Sequence, residues 1–102
     1  MANIADNKFY LFSEETISDQ LIQDIRKLVI EQFEGDIWFS DDNCIEGVFE
    51  SRWDFPFDAW DRVIGKLPIY FRCLTEEYGM SLVSMNIHNE DGTWREPQYF
   101  DL

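Results

Sequence analysis

Cys44-Ile45-Glu46-Gly47-Val48-Phe49-Glu50-Ser51-Arg52-Trp53 is the stretch on which the fold turns. Ile45, Phe49 and Trp53 fall on one side of an extended chain, and Glu46, Glu50 and the following Asp54 on the other. A period of two predicts a strand with one buried and one solvated face. Ile37-Trp38-Phe39 is a shorter apolar run just upstream, and the polar Ser40-Asp41-Asp42-Asn43 separates the two. Together they predict a hairpin.

Working outward, Lys8-Phe9-Tyr10-Leu11-Phe12 reads as a first strand. Ser13 followed by Glu14 and Glu15 reads as a helix N-cap with acids in the first turn. Ile17, Leu21, Ile22, Ile25, Leu28, Val29 and Phe33 then recur at helical spacing, which predicts a helix over residues 14–33 with Gly35 at its exit. Downstream of the hairpin, Pro56 suits a first helical turn. Phe57, Trp60, Val63, Ile64 and Leu67 predict a short amphipathic helix closed by Gly65 and Pro68. Residues 69–75 predict a strand, 76–79 a turn and 80–88 another strand. Asn89-Glu90-Asp91-Gly92 is a turn signal. Trp94, Tyr99 and Phe100 belong to a tail able to pair or pack at a sheet edge. The order β-α-β-β-α-β predicts an α+β chain of the ferredoxin-like class. That class places two helices on one face of an antiparallel sheet, here with an extra C-terminal strand or hairpin. The name describes a fold; two isolated cysteines do not supply the usual four thiolates of an iron–sulfur cluster.

The 102 residues imply one domain, residues 1–102. Asp and Glu number 21 against 8 Lys and Arg, for a formal charge of −13. Aromatics reach 17%, which argues against a disordered acidic chain. Direct binding to DNA, RNA or an anionic membrane needs basic patches, and the charge opposes it. The leading residues Met1 to Lys8 show no basic-then-apolar signal pattern, and no run approaches a membrane span. A cytoplasmic location is expected. Cys44 and Cys73 are expected to be a buried thiol pair, with a disulfide open to them only if their strands adjoin. Of Trp38, Trp53, Trp60, Trp94 and Tyr99, most are expected in the core.

The second half resembles the YubB-type family, small plasmid- and phage-borne proteins with a ferredoxin-like domain. The features that carry the resemblance are the strand ending Phe49-Glu50-Ser51-Arg52-Trp53 and the helix opened by Pro56. The Leu67-Pro68 exit, the strand Ile69 to Leu74 and the Glu77-Tyr78-Gly79-Met80 turn continue it. It spans roughly residues 48–92, and the Pro68-Ile69 connection departs from it by leaving no room for a longer loop. The resemblance implies a fold and a mobile-element context, and brings no catalytic residues with it.

Chemistry finds little footing. His88 is the one histidine, expected exposed or at a strand edge, and no serine sits in a nucleophile-elbow context. Cys44, Cys73 and His88 lack the close pairing of zinc sites. Taking Gly92 as the sixth position of a calcium loop puts Ile87 and Gln98 where its essential carboxylates belong. No glycine pattern suits a nucleotide. The expectation is a protein that is not an enzyme and takes no cofactor or metal.

Between Glu31 and Asp61, ten acids stand against one base, Arg52, a net of −9. Asp42, Glu46, Glu50 and Asp54 share parity, so a single strand through them would put all four on one face. Asp36, Asp41, Asp58 and Asp61 extend the band. These eight residues (Asp36, Asp41, Asp42, Glu46, Glu50, Asp54, Asp58, Asp61) are the candidate partner-binding set. Their field would draw a basic protein surface with fast, salt-sensitive association. The expected function is that of a non-catalytic acidic inhibitor. It would mimic nucleic acid and block a host defence nucleoprotein or nuclease of the anti-CRISPR or anti-restriction kind, acting as a monomer or weak homodimer. The alternatives are an immunity protein against a cationic nuclease toxin and a self-associating regulatory domain. The plain reading is a charged face that keeps a small protein in solution.

Overall fold

A computed structural model describes residues 3–101. Met1, Ala2 and Leu102 lie outside the described residues, as do the first two positions read for a signal segment. The elements are β1 (Ile4–Phe12), α1 (Asp19–Arg26), β2 (Asp36–Ser40), β3 (Cys44–Arg52), α2 (Phe57–Ile64), β4 (Tyr70–Glu77), β5 (Leu82–His88) and β6 (Gln98–Asp101). The six strands form one sheet in the order β2-β3-β1-β4-β5-β6, each neighbour antiparallel. The described residues are therefore α+β, with two helices, the first widening at its end, and a six-stranded antiparallel sheet.

β1 lies at the centre and pairs with β3 along nine residues, from Ile4 opposite Arg52 to Phe12 opposite Cys44. It begins four residues before the expected strand because Ala5 and Asn7 continue the inward alternation. Asn7 is buried, and its amide is satisfied across strands: Nδ2 donates to Ser51 Oγ at 2.8 Å and Oδ1 accepts from Thr75 Oγ1 at 2.7 Å. A polar residue whose bonds are made is tolerated inside.

The first helix departs from the sequence reading at its start. Its N-cap is Ser18, whose Oγ accepts the Leu21 N–H at 3.1 Å, and not Ser13. Residues 13–17 are held instead against the β2–β3 turn. Ser13 N–H donates to Asn43 O, Ile17 N–H to Asp42 O, and Asn43 Nδ2 to Ser13 O. Those bonds take up the backbone groups that a helical turn would need. Past Arg26 the helix widens into a π-helical segment, Lys27–Gln32. α2 opens after Pro56 and ends at Gly65, whose φ of +53° suits glycine.

The core lies between one sheet face and the helices. Phe9 and Leu11 of β1, Ile45 and Phe49 of β3, and Phe71 and Cys73 of β4 join Leu21, Ile25, Leu28, Val29, Trp60 and Ile64. Trp60 sits 4.5 Å from the Phe71 ring centre and 5.1 Å from that of Phe9, contacts that add to simple area burial. Gly47 makes room for this: a Cβ there would strike the Asp36 carbonyl and come within 2.8 Å of the Phe9 ring. The opposite face carries Asp6, Lys8, Tyr10, Glu46, Val48, Glu50, Arg52, Arg72, Leu74 and Glu76, and no described helix covers it.

Several expectations are corrected. His88 is fully buried, with Nδ1 2.6 Å from Ile69 O and Nε2 2.8 Å from Gly65 O, and its ring stands edge-on to Trp94 at 5.0 Å. It is interior because its side chain faces the helix side between Phe71 of β4 and Trp94, which bridges to it from the returning chain. Trp38, Trp53 and Tyr99 are exposed, while Trp60 is buried and Trp94 partly so. Cys44 and Cys73 are free, the first half-buried, on strands that both flank β1 and do not adjoin. Glu76 and Glu77 belong to β4, and the turn falls later because the Glu77 carboxylate accepts the Gly79 and Met80 N–H groups at 2.8 Å each. No helix among the described residues is long and apolar enough to cross a membrane.

Candidate functional site

The pairing register brings together acids that are far apart in sequence. Asp6 of β1 lies directly opposite Glu50 of β3 on one side and Glu76 of β4 on the other. Directly opposed residues place their Cβ atoms about 5 Å apart. Three carboxylates thus cross three adjacent strands in one row on the uncovered face. Glu34, which precedes β2, and Asp36 at its start join them around a groove of about 510 Å³. Val48, Leu74 and Tyr78 supply apolar lining, and Lys8 is the base among the lining residues. The Lys8 ammonium lies 5.7 Å from the Trp38 ring centre, and the Arg72 guanidinium lies 4.7 Å from that of Tyr10. Lys8 and Arg72 are thereby drawn onto aromatic rings, while Arg52, the third cation on this face, stands at the β3 end beyond Glu50.

Side-chain detail tightens the end of the row. Tyr78 OH donates to Glu76 Oε2 at 2.6 Å. That bond, with the Glu76 charge behind it, holds the Tyr78 phenol above its ordinary range. At the other end of the face, Tyr10 is also raised, first by its hydrogen bond with Cys44 and then by burial. The described residues contain no group of three or more His, Cys, Asp or Glu side chains placed to hold a metal ion. The row is spaced for a surface, with its carboxylates fanned across the strands.

The eight residues selected by sequence do not form one surface. Asp36, Glu46 and Glu50 share the uncovered face with the new row. Asp41 and Asp42 lie in the β2–β3 turn, where Asp41 Oδ1 accepts the Asn43 and Cys44 N–H groups. Asp58 and Asp61 sit on α2, and Asp61 Oδ1 accepts the Trp94 indole N–H at 2.9 Å. Asp54 leaves the expected face altogether. β3 ends at Arg52, and Trp53 adopts a φ of +69°, which breaks the alternation. Asp54 Oδ1 then meets Ser84 Oγ at 3.0 Å, and Ser84 faces the helix side.

Asp6 and Glu76 lie outside the Glu31–Asp61 band, and Glu34 lies within it but outside the selected set. Asp6 reads in sequence as part of a polar lead-in and Glu76 as part of a turn, and only the register sets both beside Glu50. Asp6 does share parity with Lys8 and Tyr10, the one signal that could have found it. Neither a protein-family model, nor a curated protein, nor a solved structure matches this chain.

Proposed function

We propose that this protein is a non-catalytic binding module that engages a basic protein surface through the uncovered face of its sheet. The observation that carries the reading is the Glu50–Asp6–Glu76 row, set at a groove with Glu34 and Asp36. Like charges directly opposed across strands destabilise a sheet. A row that serves only solubility could be dispersed at no cost, so its concentration favours use. The chain's −13 adds a long-range field that would speed encounter with a cationic partner. The partner class we favour is a nucleic-acid-binding protein, whose basic groove ordinarily meets closely spaced phosphates.

A ferredoxin-like assignment belongs to the same proposal. The order β2-β3-β1-β4, with helices after β1 and after β3, supports a βαββαβ core that β5 and β6 extend at the β4 edge. The YubB-type resemblance over residues 48–92 is the ground for suggesting a mobile-element role, in which the module would act in the host cytoplasm against a defence nuclease or nucleoprotein. Affinity capture at low and high salt, with wild type beside the Asp6→Lys/Glu50→Lys/Glu76→Lys variant, tests the reading. A partner retained at low salt, released by high salt and lost in the variant is expected. A partner held equally by both proteins would refute it.

A further inference from the structure

A second pocket, of about 200 Å³, lies on the helix side of the sheet at the end of β4 and β5. Thr75, Glu77, Ser84 and Leu82 line its strand side, and Trp53, Tyr99, Met80 and Asp54 complete it. The rings are exposed, Trp53 by 51% and Tyr99 by 58%, whereas Glu77 is only 3% exposed. Its two carboxylate oxygens accept backbone N–H groups of the turn. Asp54 accepts the Phe55 N–H and the Ser84 hydroxyl, and Tyr99 OH approaches its Oδ2 at 3.4 Å. Every one of these donors is neutral. The pocket therefore holds two acids, one of them buried, and no Lys, Arg or His among its lining residues. A buried charge ordinarily calls for a countercharge.

We infer that this pocket seats the ammonium of a lysine side chain from the partner. Two aromatic rings and a thioether beside two carboxylates make an environment that attracts a compact cation. The volume falls below the roughly 300–1,000 Å³ of sites for drug-sized ligands, and a single side chain is in proportion. A guanidinium fits less well, because its planar fork seeks a carboxylate with both oxygens free, and those of Glu77 are taken. Leu82 and Met80 offer apolar contact for the lysine stem. The pocket and the acidic groove flank the β4–β5 turn, Met80 lining one and Tyr78 the other, so one partner could touch both. Naming the partner as the source of the lysine rests on the basic-partner reading; the chemistry of the pocket stands apart from it.

The test needs no partner protein. The full chain, labelled with nitrogen-15, is titrated with Nα-acetyl-lysine methylamide and, in parallel, with its neutral Nζ-acetylated counterpart. The expected result is a saturable shift of the Trp53 indole resonance, with a dissociation constant on the order of 1–10 mM, and no response to the neutral compound. Trp53→Gly removes one wall at a backbone conformation that glycine favours, and Tyr99→Ala removes the other. Each, followed by the Leu82 and Ser84 backbone amides that also line the pocket, should weaken binding on the order of tenfold while the remaining backbone resonances keep their dispersion. Equal response to both compounds, absence of a saturable shift, or binding unchanged in both variants would overturn the inference. Loss of partner capture in the Asp6/Glu50/Glu76 variant with this titration intact would assign the two sites separately. Failure of the titration alone would leave the sheet-face reading standing.

Discussion

Asp6→Asn isolates the cost of the acidic row. Asp6 has a like charge directly opposite on each side, Glu50 and Glu76. Cross-strand pairs of this kind are worth about 0.2–1 kcal/mol each, so neutralising the middle member should stabilise the fold by about 0.5–2 kcal/mol. Coulomb's law agrees in scale: two unit charges about 5 Å apart in water repel by about 0.8 kcal/mol. For a chain of this size the melting temperature should rise by roughly 4–8 °C per kcal/mol. Asparagine preserves shape, and the Tyr78–Glu76 bond remains. Urea is the denaturant of choice because it adds no ions. The gain should be clear at low ionic strength and shrink in about 1 M salt, where the screening length falls to about 3 Å. A loss of stability at low salt would refute the repulsion argument, and so would a gain that salt leaves unchanged. The same variant should bind a basic partner more weakly, so that stability and binding move in opposite directions.

Gly47→Ala should destabilise the fold by about 1–3 kcal/mol in urea, because the added Cβ meets the Asp36 carbonyl and the Phe9 ring; a neutral result would mean that β2 moves freely. His88→Phe should cost about 1–3 kcal/mol by the same assay, since it removes the ring N–H that reaches a buried backbone carbonyl, at Ile69 or at Gly65. Burial, then the Asp54 charge and hydrogen bond, hold the Tyr99 phenol above its ordinary 10.0. A value raised in the folded state gives a contribution intact below pH 10 that fades as pH climbs through the folded value. Asp54→Asn should therefore lower the Tyr99 titration, followed by tyrosinate absorbance, only part of the way, because burial remains. Burial likewise raises the Cys73 thiol, so a thiol reagent should reach it only as the protein unfolds.

The elements that periodicity names were legible: the β3 alternation and the amphipathic α2 are present, and the Gly92 N–H closes the turn onto Asn89 O. What the sequence concealed depends on partners distant in the chain. Ser13 and Ser18 are both plausible caps, and the bonds from Asn43 and Asp42 decide between them. Asp54 shares parity with Glu46 and Glu50, yet the positive φ of Trp53, at a residue type that rarely adopts it, sends Asp54 to the other side. His88 ends a strand in sequence and lies inside because Trp94, six residues on, folds back to bridge and cover it. The acidic row was the least legible. Its members stand at positions 6, 50 and 76, and no local pattern announces that register.

The central claim is that the Glu50–Asp6–Glu76 face binds a basic, nucleic-acid-binding partner. Its most direct test is competition: the protein captured from a cell lysate is held on immobilised wild-type chain and challenged with duplex DNA at low salt. The account predicts that DNA releases the partner in proportion to its concentration, and that the Asp6→Lys/Glu50→Lys/Glu76→Lys chain never captures it. A partner that binds DNA and this protein together at full affinity would contradict it.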